Sequence, residues 1–187
     1  MTINLAHSAR VTMSVPQAYY VSDPHPSVPI TNAPPPMTMS EEDADLIRTT
    51  IRGAVGKWIA DDAHMSACLS VTNNAYTFTY VGSERGYEIE GHFTVKCCCC
   101  TVAESNTKGT FDENGLGGET RNDDGLKMKY SLVSLDKVHK TATYAMFGQD
   151  KHGRPVTGTA VQSQHERRTT LNMHGAPPGG LTVTYRR

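Results

Sequence analysis

Glu88, Glu90 and His92 stand at alternate positions in a stretch that reads as one β-strand, Tyr87 to Cys100. Alternate strand residues point the same way, about 7 Å apart. Two carboxylates and an imidazole therefore share a face, with Lys96 further along it. In a half-dry cavity, Glu90 and His92 would form a general acid–base pair, able to move protons on a substrate without a cofactor. The opposite face holds Tyr87, Ile89, Phe93, Val95, Cys97 and Cys99. If the polar face looks into a barrel, Glu90 and His92 are catalytic candidates. If it looks at water, it is the ordinary outer side of a sheet.

The other reactive residues point less clearly to chemistry. Cys97–Cys100 is a run of four cysteines, whereas structural zinc sites use Cys-x-x-Cys pairs so that two thiolates converge on one ion. Cys68 supplies no second pair, so no metal site is expected, and the run reads as small, buryable side chains at a strand end. None of the eight histidines falls in an H-x-H or H-E-x-x-H pattern. Asp112–Gly115 and Asn122–Gly125 gather oxygen ligands without the EF-hand spacing, and turn chemistry accounts for their Asn, Asp and Gly. No phosphate loop, nucleophile elbow or dinucleotide fingerprint occurs, so no cofactor is expected.

The elements that must position these residues are mostly strands. Ser66–Thr72 and Ala75–Val81 flank Asn73–Asn74, a pair suited to a tight hairpin. Residues 105–118 read as loops around a short segment at Thr110–Phe111. Leu126–Ser134, His139–Gly148, Pro155–Gln162, Arg167–Met173 and Leu181–Tyr185 complete the strand set. No proline occurs between Pro36 and Pro155, as a continuous hydrogen-bonded ladder requires.

Ser40 opens a helix expected over residues 40–59. Ser40 is the N-cap, Asp43 holds the capping-box position, and Ile47, Ile51, Ala54, Val55 and Trp58 form an apolar face. Gly53 and Gly56 oppose a helix by about 1 kcal/mol each, so the helix either stops near Arg52 or uses them for close packing. Residues 1–39 hold seven of the ten prolines and no glycine, and read as an extended arm.

With 18 basic and 19 acidic residues the net charge is -1, which argues against a general nucleic-acid binder. No apolar run approaches the ~20 residues of a membrane span, and Met1–Val15 lacks the pattern of a secretory signal. With five cysteines, four of them adjacent, a reduced cytoplasmic chain is expected.

Gly56–Lys57–Trp58 has the G-x-W form found where the first barrel strand begins in lipocalins, and like theirs it follows a helical segment. It resembles that family over these three residues, and the resemblance implies a calycin-like barrel. The fold expected is mainly β: an arm over 1–39, then one domain over 40–187 with a helix and an antiparallel β-barrel or sandwich of about eight strands.

Three functional readings follow. In the first, the barrel binds a small, partly apolar molecule or a protein partner through Tyr76, Phe78, Tyr80, Ile89, Phe93, Met128, Tyr130 and Phe147. In the second, it is a cofactor-independent isomerase, cyclase or lyase using Glu90 and His92. In the third, residues 1–36 reach a neighbouring subunit in a homo-oligomer. Tyr76, Phe78 and Tyr80 match Tyr87, Ile89 and Phe93 as an apolar pair of faces, which favours sending Glu88, Glu90, His92 and Lys96 to water.

Overall fold

The computed structural model describes residues 39–60, 63–64, 69–98, 100–175 and 180–187. The expected arm, its role in assembly, and Cys68 and Cys99 lie outside these residues.

Helix α1 spans Glu41–Gly53. Ser40 caps it: its Oγ accepts from the Asp43 amide at 3.2 Å and donates to Asp43 Oδ2 at 2.8 Å. Glu41, Glu42 and Asp43 lie against the positive end of the helix dipole and Arg52 against the negative end. The helix does not run to residue 59 as expected. Gly56 has φ 144, a conformation no helix contains, and it starts a strand. Trp58 is buried from that strand, with its Nε1 donating to the Ala54 carbonyl at 2.8 Å.

The strands are β1 (Gly56–Ala60), β2 (Ala63–His64), β3 (Leu69–Gly82), β4 (Gly86–Cys97), β5 (Cys100–Phe111), β6 (Gly117–Asn122), β7 (Lys127–Asp136), β8 (Thr141–Gln149), β9 (Pro155–Ser163), β10 (Arg168–His174) and β11 (Leu181–Arg186). From β3 to β11 each pairs antiparallel with the next. β1 closes the ring by pairing with β3 at Trp58↔Tyr76 and with β11 at Ile59↔Arg186. The result is a closed antiparallel barrel of ten strands, with the short β2 added to β3. Closure removes the edges that such Thr-rich strands would expose.

Ten strands rather than about eight form the barrel: β1, β5 and β6 add three, and the fusion of two expected strands into β3 removes one. The hairpin expected at Asn73–Asn74 is a bulge inside β3, where Asn73 takes φ 49 and the register to β4 shifts between Thr72 and Ala75. Residues 105–118, expected as loops, belong largely to β5 and β6, and their glycines permit close strand approach. A Cβ on Gly109 would lie 2.2 Å from the Glu119 carbonyl oxygen. β1 replaces the second half of the expected helix. The strand expected to reach Cys100 ends at Cys97, and the chain turns through Cys98 at φ 54 so that Cys97 faces Cys100 across the hairpin.

The helix closes one end of the barrel. Ile47 is fully buried and Ile51 nearly so, and both meet Gly115 between β5 and β6. Burying one such side chain contributes about 1.5–3 kcal/mol. Gly115 has φ 74, and a Cβ there would come within 2.6 Å of both isoleucines, so the contact needs glycine twice over. Tyr144 donates to the Gly115 carbonyl at 2.9 Å, and Lys137 Nζ lies 2.6 Å from Asp43 Oδ1.

Candidate functional site

The inward residues of the strands enclose a cavity of about 450 Å³. It runs from Ile51 and Ala54 at the helix end to Asp124, Lys151, His152 and Arg154 in the turns at the opposite end. Ten strands give the room: barrel diameter grows with strand number, and eight already leave an interior that side chains can fill. Small residues add to it, since Gly91, Ala103 and Ala160 line the cavity alongside the larger side chains.

Six of the eight residues expected to face a ligand line this cavity: Tyr76, Phe78, Ile89, Phe93, Met128 and Tyr130. The other two are placed elsewhere. Tyr80 is 41% exposed, with its ring 5.2 Å from that of Tyr87 and its hydroxyl 3.4 Å from Glu113 Oε1. Phe147 sits on the outer face of β8, opposite Lys129 and Thr157, because Tyr144 and Met146 take the inward positions. Two adjacent apolar residues on a strand cannot both face in.

Glu90 is on the outside of the barrel and is absent from the cavity lining, whereas half-buried His92 borders the cavity, so the expected acid–base pair is not brought together inside it. The Glu90 carboxylate is exposed and lies 3.7 Å from Lys108 Nζ. His92 is 3.0 Å from Asn106 Oδ1 through Nδ1 and 3.5 Å from Thr94 Oγ1 through Nε2. Glu88 pairs with Arg85. Asn106 is itself fixed by Asp123, which accepts from its side chain at 2.8 Å, from its amide at 3.0 Å and from Ser105 Oγ at 2.7 Å. The Ser105 and Asn106 hydrogen bonds hold the Asp123 carboxyl below its ordinary range. Asp112 likewise accepts from the Leu116 and Gly117 amides, so these acidic loops spend their oxygens on turns.

The cavity wall carries neutral polar groups. Tyr76 donates to Thr169 Oγ1 at 3.1 Å, and Thr169 donates to Gln162 Oε1. Tyr185 donates to Asn74 Oδ1 at 2.8 Å, and Tyr130 and Thr120 are 3.2 Å apart through their hydroxyls. Burial pushes the phenols of Tyr76, Tyr130 and Tyr185 well above their ordinary range, against the smaller opposing effect of these hydrogen bonds. They are neutral hydroxyls near neutral pH. Charged lining residues gather towards the mouth, where Arg154 Nε donates to Asp150 Oδ2 at 2.6 Å. Among the described residues no three His, Cys, Asp or Glu side chains converge as metal ligands, and no helix is long and apolar enough to cross a membrane.

Asn74, Gln162, Thr169 and Tyr185 were not among the expected site residues. Tyr185 was within reach, since it alternates with Leu181 and Val183 on one face. Gln162 and Asn74 gave no signal, because an amide in a strand or turn is ordinarily exposed. Comparison with known protein families finds no matching family model, and comparison with curated protein sequences finds no match.

Proposed function

We propose that this barrel binds a small, largely apolar molecule in its interior. The observation that carries the reading is the cavity of about 450 Å³, lined mainly by aromatic and aliphatic side chains with a few placed hydroxyls and amides. Ligand sites of soluble proteins have this size and this mixture: apolar walls supply affinity and sparse polar groups fix orientation. Catalysis in the same space has less support. The wall around Tyr76 and Tyr130 offers neutral phenols, hydroxyls and amides, and the His92 imidazole that borders the cavity is hydrogen-bonded to Asn106 and Thr94 rather than to a carboxylate.

The test is a variant that fills the space. Leu171 lines the cavity and is half-buried. Leu171→Trp should abolish binding of neutral aromatic probes, measured by titration calorimetry, while the circular dichroism spectrum stays that of the barrel. Undiminished binding in a folded Leu171→Trp protein would place the ligand elsewhere and remove the proposal.

A further inference from the structure

Two amide side chains on the cavity wall have their oxygens engaged and their nitrogens open. Asn74 is 7% exposed and Gln162 8%, and both line the cavity. The Tyr185 hydroxyl donates a hydrogen bond to Asn74 Oδ1. Tyr76 donates a hydrogen bond to Thr169, which in turn donates one to Gln162 Oε1. These donors fix which end of each amide is engaged. Asn74 Nδ2 and Gln162 Nε2 each carry two N–H bonds, and among the described residues neither donates a hydrogen bond. Tyr76 ties the two sites together: its hydroxyl leads to Gln162, and its ring lies edge-on to Tyr185 at a centroid distance of 4.8 Å.

We propose that these amide N–H groups receive an oxygen acceptor of the ligand, so that the cavity takes neutral, mainly apolar molecules bearing a carbonyl or equivalent acceptor. The inference rests on the interior-binding reading above and specifies the ligand's chemistry. A pure hydrocarbon leaves buried donors unmet, which is unfavourable. A carboxylate is desolvated against neutral amides and hydroxyls while the lining cations Lys151 and Arg154 lie in the turns at the mouth, and a buried charge without a close partner is more unfavourable still. A carbonyl needs only neutral donors, and this wall presents them.

Fluorene and fluorenone share one fused-ring skeleton and differ by a carbonyl, which makes them a matched pair of probes. Both are titrated into the full chain and into Gln162→Met and Asn74→Leu, each checked by thermal melting. The ratio of the two affinities, compared between proteins, cancels the difference in probe hydration. The ratio should shift towards fluorene by about fivefold in each folded variant, the effect of one neutral hydrogen bond. In the unmutated protein, fluorenone should displace the side-chain amide resonances of Asn74 and Gln162 in a ¹⁵N spectrum and fluorene should not. That spectrum decides the matter should a variant fail to fold. Binding of both probes with an unchanged ratio and unmoved amide resonances would overturn this inference and leave the interior-binding reading standing. Binding of neither probe would overturn both.

Discussion

The Tyr185 hydroxyl reaches Asn74 Oδ1 at 2.8 Å, joining β11 to β3 past β1, the strand that closes the barrel between them. The bond joins the last strand of the chain to the bulge of β3, so it reinforces the seam of the barrel and orients a cavity amide at once.

Tyr185→Phe should therefore be more harmful than the loss of one surface hydroxyl. It leaves the buried Asn74 oxygen without a partner and removes little volume. A loss of about 1–3 kcal/mol is expected, the cost of a buried acceptor left unsatisfied. Urea unfolding checks it, and Tyr185→Phe combined with Asn74→Leu should recover part of the loss.

Gly148→Ala should be among the most damaging small substitutions. A Cβ at Gly148 would lie 1.8 Å from the Lys127 carbonyl oxygen, where β8 runs against β7. Backbone must move to admit it, and the ladder next to the lining residues Met128 and Met146 would separate. We expect little folded protein, measured by circular dichroism and size-exclusion elution. At Gly153, in an open turn with no atom within 4 Å of the added carbon, Ala meets no clash and pays for φ 76 alone.

Alkaline pH should unfold the barrel through its buried phenols. Tyr76, Tyr130, Tyr144 and Tyr185 all ionise above the ordinary phenol value of 10.0, with burial the largest cause in each. Above that pH the unfolded chain loses protons that the folded chain keeps. Their contribution to stability is whole below the unfolded value and falls as pH rises towards the folded ones. Phenolate absorbance at alkaline pH should accordingly rise in step with loss of the circular dichroism signal. Smooth ionisation of these four residues in a still-folded protein would contradict the burial.

Much of this architecture was legible in the residue pattern, for physical reasons that also mark where legibility stops. Alternation in 87–95 and 126–132 placed inward residues correctly, because a period of two fixes the face once one member is assigned. Ser40 and the acids after it announced the helix start through local capping chemistry. Its end was harder to read: Trp58 fits a helix face and a strand face equally well, and only its pairing with Tyr76 on β3 decides between them. Gly109, Gly117 and Gly118 read as loop residues, since nothing local tells a flexible glycine from one needed for close strand approach. The cavity was least legible of all. Gln162 and Thr169 come together because β9 and β10 pair at that register, a property of the whole sheet.

The most direct test of the account is a methyl spectrum of the protein labelled at methionine, recorded with and without saturating fluorenone. Met128, Met146 and Met173 line the cavity from three strands, β7, β8 and β10. Interior binding predicts that these three methyl resonances shift together and that the same shifts are lost in Leu171→Trp. Their staying fixed under saturating probe would contradict the central claim.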